Sequence, residues 1–384
     1  MNAGPSTLSA VHVQRRLPLH ALHLAHGARL EPFAGWSMPI HYPPGILAEH
    51  RHTRASAGLF DISHMGQIRV RSRTGGNSEA ALALEGLVPS DLLSLRCGRQ
   101  RYALFTTASG GISDDLMIAN LQTGLFLVVN AARVEDDLRY LRERLPHCTV
   151  ELLSDRALLA IQGPAACAVL AERVPGVTNL RFMDAAEFTV DGMPWIVTRS
   201  GYTGEDGFEL SVPSECAAEA AERFLRHPSV KLVGLGARDS LRLEAGLCLY
   251  GRDLTADTTP VEASLEWAIQ SARRPDGARA GGFPGAEVIH AQLAHGAPRL
   301  RVGMRSESRP VREGAAIYAD DTSQVVLGHV TSGTYAPSAG HPVAMGYIPT
   351  AAADVGTRLC AEVRGQRIPV TVTEMPFVPH RYRR

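Results

Sequence analysis

Lysine is almost absent from this chain of 384 residues: Lys231 is the single lysine, and arginine supplies the remaining basic charge. The 39 basic residues are balanced by 39 acidic ones, so the formal net charge is zero. A chain without a net positive field lacks the general attraction that draws basic proteins to nucleic acids and anionic membrane surfaces. We therefore expect neither a nucleic acid nor a membrane as a partner.

Long apolar runs and cysteine pairs are also missing. No stretch approaches the roughly 20 apolar residues that a helix needs to cross a bilayer. The six cysteines are scattered without a CxxC pair, which favours a reducing compartment over a disulfide scaffold. Residues 1–16 carry no acidic residue and no apolar core of the signal-peptide type. They are predicted to be a disordered leader, either the N-terminus of a cytoplasmic bacterial protein or a short leader to the mitochondrial matrix of a eukaryote.

The common catalytic signatures are absent too, since no HExxH, GxSxG, Walker or GxGxxG motif occurs. His20, His23 and His26 recur at a spacing of three and could suggest a metal site. No cysteine or acidic residue lies beside them in the sequence. We interpret them as histidines on the surface of an exposed helix and expect no metal.

The order of the predicted elements favours an α+β fold. The segments RYALFTT, SDDLMIAN and LFLVVN alternate with period two, as consecutive antiparallel strands do, and a helix with an apolar stripe follows them. A second cycle of strands and helices runs from ALLAIQ to the helix around 237–249. Strands that alternate with helices and hairpins indicate layers of the βαββαβ, ferredoxin-like kind rather than a doubly wound parallel sheet.

A Gly-, Pro- and Arg-rich segment, SARRPDGARAGGFPG, interrupts this pattern. Beyond it the chain consists mostly of short strands between turns, which is typical of a small all-β barrel or sandwich. The sequence therefore predicts a boundary near Gly281, with an α+β region over residues 17–280 and a β domain over 281–384.

Two adjacent carboxylates, Asp114 and Asp115, stand between a glycine turn and an apolar strand in GGISDDLMIAN. In a strand, Asp114 shares a face with Leu116, whereas Asp115 shares the other face with Met117. The two carboxylates are therefore expected to diverge. Both could cap the turn at a solvated strand end, or one could project into a cleft as the acceptor or base for a substrate nitrogen.

Two further charged residues lie in patterned segments. The apolar residues of FELSVP take the core face of a strand, which turns Glu209 to the opposite face. There it would point to solvent or to a heterocycle, because one carboxylate can accept hydrogen bonds from both a ring N–H and an exocyclic amine. Arg238 and Arg242 stand four residues apart on one helical face. Asp239 can pair with Arg242, which leaves Arg238 for an outside anion, although ordinary surface salt bridging fits the same pattern.

Several long motifs resemble, in the same order, those of one family: PFAGWSMPIHY, GLFDISHMG, GGISDDLMIAN, RSGYTGEDGFELSVP, GLGARDSLRLEAGLCLYG, TTPVEASLEWAI, VTSGTYAPSAGHPVAMGYI and MPFVPHRY. That family is the T-protein of the glycine cleavage system, and the resemblance covers the chain from about Leu17 to Tyr382. It implies two interleaved ferredoxin-like lobes within the catalytic region 17–280 and a C-terminal antiparallel β-barrel. These three lobes would surround a central folate channel.

The resemblance also implies an activity, that of an aminomethyltransferase. Such an enzyme transfers the one-carbon unit of the aminomethyl-lipoyl arm of H-protein to tetrahydrofolate, its co-substrate. The products are 5,10-methylenetetrahydrofolate, ammonia and dihydrolipoyl H-protein. The implied partners are the lipoylated H-protein and the glycine-decarboxylating and dihydrolipoyl-dehydrogenase components, and the reaction requires no metal.

Residue by residue, the resemblance assigns the catalytic role to Asp115, whose carboxylate would hydrogen-bond N10 of the folate. A carboxylate there can orient N10 and stabilise positive charge on an iminium-like carbon. The resemblance places the pterin-binding glutamate at Glu209. The full set of residues that it places at the folate or substrate site is Tyr102, Asn130, Tyr202, Glu209, Arg238 and Tyr382.

The chain departs from the family at two places. Ala119 stands where many relatives carry a larger residue, so the pocket wall beside Asp115 is expected to be looser. The Arg-rich loop 272–280 is longer and more basic than expected, and it would either contact the acidic H-protein or form a solvated loop.

Two other functions remain open within the same fold. One is a folate-dependent demethylase. It could be the folate domain of dimethylglycine or sarcosine oxidases, which is usually fused to a flavin module that this sequence does not show, or a sulfonium demethylase, which keeps the fold and changes the pocket. The other is a non-enzymatic folate-binding factor for iron–sulfur maturation, which carries a KGCYxGQE-type motif that this chain lacks.

Overall fold

The structure, a computed structural model, describes residues 14–384. Of the predicted leader, residues 1–16, positions 1–13 lie outside the described residues. The α-helices in the described range are α1 (His20–Ala25), α2 (Ile46–Ala55), α3 (Asn77–Glu85), α4 (Val134–Arg144), α5 (Ala166–Ala171), α6 (Ser214–Leu225), α7 (Leu235–Glu244) and α8 (Ala286–His295). None of the helices between residues 14 and 384 is both long enough and apolar enough to cross a membrane.

The strands form three open sheets and one barrel. A small sheet contains β1 (Arg15–Arg16), β2 (Arg29–Phe33) and β3 (Trp36–His41) in the order β1-β3-β2. A six-stranded sheet, in the order β11-β12-β13-β10-β4-β14, contains β4 (Ala57–Asp61), β10 (Arg156–Gln162), β11 (Ala185–Val190), β12 (Met193–Thr198), β13 (Gly207–Pro213) and β14 (Val230–Leu232). A five-stranded sheet, in the order β6-β7-β8-β5-β9, contains β5 (Gly66–Ser72), β6 (Arg99–Thr106), β7 (Ile112–Leu121), β8 (Gly124–Val129) and β9 (Cys148–Leu152).

The C-terminal part closes into an antiparallel barrel, which confirms the predicted β-barrel. Its strand order is β15-β18-β17-β16-β19-β20, and β15 also pairs with β20. The barrel strands are β15 (Arg299–Ser306), β16 (Ala316–Tyr318), β17 (Val326–Ala336), β18 (His341–Pro349), β19 (Arg358–Val363) and β20 (Gln366–Thr373).

The α+β class and the interleaving of the two lobes are also confirmed. The chain enters the six-stranded sheet with β4, builds the whole five-stranded sheet with β5 to β9, and then returns to complete the first sheet. Both lobes contain the order β-α-β-β-β-α-β, one strand more than the predicted βαββαβ pattern, and the six-stranded sheet has β4 in addition. In both lobes the three middle strands form an antiparallel meander.

Strand alternation explains how each sheet acquires one helix-covered face. Leu116 and Ile118 of β7 belong to the buried cluster that also contains Leu84 of α3 and Leu141 of α4. In the six-stranded sheet, apolar residues of β10, β12 and β13 share a second cluster with α5 and α6. Because side chains alternate along a strand, the intervening residues point to the opposite faces of the sheets.

The opposite faces of the two sheets meet each other. Ala119 and Phe126 of the five-stranded sheet share a buried cluster with Ile196 of the six-stranded sheet. The layers are therefore helix, sheet, sheet and helix, and the residues that point away from the helices face an inter-sheet cleft.

The interpretation of His23 as a surface residue is wrong. Its ring is fully buried, with Nε2 2.9 Å from the Asp61 carboxylate and Nδ1 2.9 Å from the Tyr42 hydroxyl. The acidic partner lies 38 residues away in the chain, so no local pattern reveals it. His23 joins α1 to the end of β4, and among residues 14–384 no group of three metal-ligating side chains is assembled.

Two arginines fix the Arg-rich loop to the five-stranded lobe, although several residues of the loop are exposed to solvent. Arg273 is buried, donates to the Glu85 backbone carbonyl at 2.7 Å and lies 3.5 Å from the Glu85 carboxylate. Arg279 pairs with the same carboxylate at 2.8 Å and with Asp91 at 2.5 Å. Glu85 is itself buried at the end of α3. The loop therefore connects the region before the barrel to the five-stranded lobe.

Glu85→Ala is expected to lower the free energy of unfolding by about 3–5 kcal/mol, because it leaves Arg273 buried without its carboxylate. Equilibrium urea unfolding of the whole chain measures the change. The matched control is Glu135→Ala, at an exposed position of α4, which should change stability by less than about 0.5 kcal/mol. Equal effects of the two substitutions would show that Glu85 does not fix the loop.

Candidate active site

Asp115 occupies the face of β7 that points into the inter-sheet cleft. The Tyr102 hydroxyl on β6 donates to one carboxylate oxygen at 2.9 Å, and the Asn130 side-chain amide donates to the other at 2.7 Å. Burial raises the pKa of Asp115 to about 7, with a smaller contribution from the charge of Asp114, while the two hydrogen bonds act in the opposite direction. A carboxyl with a pKa near neutrality can serve as a hydrogen-bond acceptor or a base.

Asp114 does not cap the glycine turn at a solvated strand end, which was one of the two roles considered for it. It is fully buried on the other face of β7, and it accepts the Asn130 backbone N–H at 3.1 Å and the Asn130 amide at 2.8 Å. The two carboxylates thus lie on opposite faces, yet Asn130 donates to both. Strand alternation alone could not predict this shared donor.

Glu209 lies on β13, on the face that points into the same cleft. The Ser200 hydroxyl donates to its carboxylate at 3.1 Å. Burial raises the pKa of Glu209, and the positive charge of Arg238 opposes that shift. Few protein donors are directed at this carboxylate, which leaves it able to accept hydrogen bonds from a ligand.

Arg238 lies on α7 within electrostatic range of Glu209, because the charge of each residue opposes the shift that burial causes in the pKa of the other. Its guanidinium lies 4.7 Å from the centre of the Tyr202 ring, and its Nη1 is buried without a hydrogen-bond partner among the described residues. Arg242, one turn later, pairs with Asp239 at 2.7 Å as predicted, and also with Asp253 at 2.7 Å. An unpaired buried donor is costly, so the Arg238 Nη1 marks a place where a ligand acceptor would be stabilising.

Tyr202 is close to Arg238 and is affected by the charge of Asp115. Its hydroxyl donates to the backbone carbonyl of Cys248. Burial raises the pKa of this hydroxyl, Arg242 opposes the shift, and the negative charge of Asp115 adds to it. Tyr202 therefore lies within electrostatic range of Asp115 while its ring lies under Arg238.

A small cavity lies between the sheets, and of the residues described above Glu209 lines it. The five-stranded sheet lines it with residues that include Met117, Ala119 and Val128, and the six-stranded sheet with Thr198 and Glu209. Met117 and Ala119 share their strand face with Asp115. The small side chain at position 119 contributes to this wall of the cavity, which is where a looser pocket was expected.

Tyr382 does not join this group. Its ring stacks on Phe182 at 4.1 Å and lies 4.8 Å from the ring of His380. Among the described residues, no hydrogen bond or ring contact links Tyr382 to the other predicted site residues.

Sequence reasoning missed two residues near the site. His64 is buried, its Nδ1 has no partner among the described residues, and burial together with the charge of Arg238 lowers its pKa to about 3. Trp267 is 61% exposed, yet it stacks on Tyr102 with ring centres 5.3 Å apart. Both residues lie in motifs that carry the family resemblance, GLFDISHMG and TTPVEASLEWAI. Their position in these motifs was the feature of the sequence that could have indicated them.

Known proteins resemble this chain over nearly its whole length. The family model described as the GCVT N-terminal domain matches residues 19–273, and that described as the glycine cleavage T-protein C-terminal barrel domain matches residues 299–379. The mitochondrial aminomethyltransferase of Dictyostelium discoideum is 42% identical, with 96% of this chain and 94% of that protein covered. The mitochondrial aminomethyltransferase of Homo sapiens is 43% identical, with 97% and 92% covered.

A solved structure shows the same likeness in three dimensions. The glycine cleavage system aminomethyltransferase T from Bartonella henselae superposes with a TM-score of 0.89 at 44% identity, covering 96% of this chain and 99% of its own. Both family models and these relatives span nearly the whole chain. The chain belongs to the glycine cleavage T-protein family.

Proposed function

We propose that this protein transfers the one-carbon unit of an aminomethyl group, carried on the lipoyl arm of H-protein, to tetrahydrofolate bound in the inter-sheet cleft. The chain is an aminomethyltransferase, a one-carbon transferase of the glycine cleavage system. The observation that carries the finer proposal is the placement of Asp115 and Glu209 on the facing inner sides of the two sheets. Arg238, whose Nη1 has no partner among residues 14–384, lies within electrostatic range of Glu209.

The free hydrogen-bonding groups suit a reduced pterin. Such a ring presents an N–H beside an exocyclic amine, and the Glu209 carboxylate can accept both hydrogens. Arg238 would donate its unpaired Nη1 to an acceptor on the ring. The rings of Tyr202 and Tyr102 add aromatic surface near the two ends of the site. Glu209 and Arg238 would therefore hold the ring system, and Asp115 would act at the reacting nitrogens.

The transfer balances without an oxidant or reductant. The C–S and C–N bonds of the aminomethyl group break, and bonds from that carbon to N5 and N10 of the folate form. The two hydrogens that leave N5 and N10 end on the released thiol and on ammonia. The acceptor role falls to Asp115, whose ionised carboxylate would take the hydrogen bond from N10 and stabilise positive charge on the carbon as it transfers.

The proposed partner that delivers the aminomethyl group is lipoylated H-protein, with the glycine-decarboxylating and dihydrolipoyl-dehydrogenase components acting before and after this step. The named relatives from Dictyostelium discoideum and Homo sapiens are mitochondrial. A cytoplasmic location in a bacterium, or the mitochondrial matrix in a eukaryote, remains a prediction for this chain. The relatives are named as aminomethyltransferases, and no feature of the site favours the demethylase or the maturation factor.

The direct test measures ammonia release and methylenetetrahydrofolate formation from aminomethylated H-protein. Asp115→Asn should lower kcat on the order of 10²-fold, because the amide presents an N–H donor where a carboxylate is needed. Asp114→Asn should lower kcat less, since Asp114 lies on the far face of β7. Circular dichroism and thermal unfolding establish that both variants fold. Equal losses, or a retained rate in Asp115→Asn, would contradict the assignment.

Glu209→Gln should weaken tetrahydrofolate binding by about 10-fold or more, because one of two accepting oxygens becomes a donor and a charge-assisted bond is lost. Arg238→Met should have an effect of similar size. Isothermal titration with tetrahydrofolate measures both. Glu215→Gln, at an exposed position of α6, is the control and should bind as the unaltered protein does. Unchanged affinity in the first two variants would remove both residues from the site.

The pH dependence of kcat should report the ionisation of Asp115. Activity should rise with pH through about 7, since the ionised carboxylate is the acceptor. Tyr102→Phe removes a donor that lowers this pKa, so the acidic limb of the profile should move to higher pH. Tyr335→Phe, on an exposed barrel residue, should leave the limb in place. A limb that does not move in Tyr102→Phe would show that another group titrates.

A further inference from the structure

Gln100 is a buried polar residue of the cleft that the transfer reaction proposed above does not use. It lies on β6 two residues before Tyr102, and therefore on the same strand face, which points into the cleft. Gln100 is 4% exposed, and its side-chain amide Nε2 is buried without a hydrogen-bond partner among residues 14–384. An amide donor that is out of water and unpaired is costly, so an acceptor beside Nε2 would be stabilising.

Gln100 lies where the two sheets meet, beside a small neighbour. In the pairing of β6 with β7, Ala119 is directly opposite Gln100. The Gln100 backbone N–H donates to the Met183 carbonyl at 2.9 Å, which joins the edge of the five-stranded sheet to the segment before β11. Gln100 and Ala119 line the inter-sheet cavity from one side, and Glu209 lines it from the other. The unpaired amide and the Glu209 carboxylate thus border one cavity.

The size of this cavity restricts what it can hold. The space in it that is open to the centre of a water-sized sphere is about 10 Å³. A buried water molecule needs roughly 10–15 Å³ of such space and two to four polar partners. A pterin has two fused rings and is many times larger. The cavity therefore suits a single water molecule beside Glu209, and the folate ring would bind elsewhere along the cleft.

Two groups in the cavity wall can donate a hydrogen bond to such a water. One is the Gln100 amide. The other is the hydroxyl of Ser211, which is buried and also lines the cavity. This hydroxyl accepts from Arg156 Nε at 2.7 Å, so its own hydrogen is available to another partner.

Two groups in the wall can accept a hydrogen bond from the water. The Ser200 hydroxyl donates to the Glu209 carboxylate at 3.1 Å, which leaves further lone pairs on the carboxylate. Because the Ser200 hydrogen is used in this bond, the Ser200 oxygen accepts from the Thr198 hydroxyl at 2.9 Å. The Thr198 oxygen then keeps a lone pair. Two donors and two acceptors match the four hydrogen bonds that one water can make.

We propose that this cavity binds one water molecule, which accepts from the Gln100 amide and donates to the Glu209 carboxylate, and that Gln100 is thereby a positioning residue for recognition of the folate ring. The inference rests on the function proposed above, in which Glu209 accepts hydrogen bonds from that ring. Ser200 and the water would hold the carboxylate from two directions. A carboxylate fixed in advance loses less entropy when the ligand binds.

The first test locates the water directly. A high-resolution crystal structure of the unaltered protein should show one ordered water at hydrogen-bond distance, about 2.7–3.2 Å, from Gln100 Nε2 and from a Glu209 oxygen. The absence of that water, or a direct hydrogen bond between Gln100 and Glu209, would overturn the proposal. This measurement needs no variant, so it decides the question even if a substitution prevents folding.

The second test removes the amide and keeps the approximate volume. Gln100→Met should weaken tetrahydrofolate binding by about 3- to 10-fold in isothermal titration, because one hydrogen bond that holds Glu209 is lost. At saturating tetrahydrofolate, kcat should be unchanged, since Asp115 and its two donors are intact. Gln122→Met, at an exposed position between β7 and β8, is the matched control and should bind normally. Unchanged affinity in Gln100→Met, or a fall in kcat as large as the fall in affinity, would contradict the positioning role.

The third test asks whether Gln100 acts through Glu209. In a protein that already carries Glu209→Met, Gln100→Met should cause no further loss of tetrahydrofolate affinity, because the carboxylate that the amide holds is gone. Losses that add in the double variant would show that Gln100 acts independently of Glu209 and would overturn the inference.

The two proposals can fail separately. If the unaltered protein forms no methylenetetrahydrofolate from aminomethylated H-protein, the proposed function fails, while the crystal structure still reports on the water. If the unaltered protein is active but the water is absent, or the losses in the double variant add, only the inference about Gln100 fails.

Discussion

The buried ion pair between Arg242 and Asp253 is the constraint on which the arrangement of the site depends. Arg242 also donates to the Ser332 hydroxyl on barrel strand β17 at 2.8 Å, and Asp253 accepts the Leu249 backbone N–H at 2.9 Å. One pair of charges thus joins α7, the loop after it and the barrel. Removal of one partner would leave an uncompensated buried charge, at a cost of roughly 3–5 kcal/mol, so the pair restricts how these three parts can meet. Arg242 is fully used in this structural role, whereas Arg238, one turn earlier, has a buried Nη1 without a partner among residues 14–384.

The C-terminal end of α7 is held by a second buried carboxylate. Glu244 contacts His50 at 3.1 Å and Arg54 at 2.8 Å, both on α2, and accepts the Ser338 backbone N–H at 2.7 Å. Burial alone would raise the pKa of Glu244, but its hydrogen bonds to His50, Ser338 and Arg54 lower it to about 2. The group therefore stays ionised across the physiological range. With its last turn anchored to α2 and to the barrel, α7 holds Arg238 in a fixed position. In the proposed binding role, a group fixed in advance would lose little entropy when a ligand arrives.

The sequence predicts the parts of the site that depend on local geometry. Period-two alternation places Asp115 and Glu209 on the strand faces away from the helix-covered cores, and the structure has them there. Alternation cannot tell which two faces meet, because that depends on the return of the chain to the six-stranded sheet after β9. It also cannot predict Asn130 as a donor to both aspartates. His23 and Asp61 were missed for the same reason: buried polar partners far apart in the chain leave no periodic signal.

The repeated lobes explain why a single cleft can carry two different chemistries. Both lobes contain the same β-α-β-β-β-α-β order, to which the six-stranded sheet adds β4, and their inner faces form the two walls of the cleft. Asp115 lies on the middle strand of its meander, β7, whereas Glu209 lies on the last strand of the other meander, β13. The two carboxylates are therefore not equivalent in the repeat, and their surroundings differ: Asp115 is fixed by tyrosine and amide donors, and Glu209 lies near a guanidinium. A shared scaffold with different side chains at non-equivalent positions separates the group that would act at the reacting nitrogens from the group that would recognise the ring.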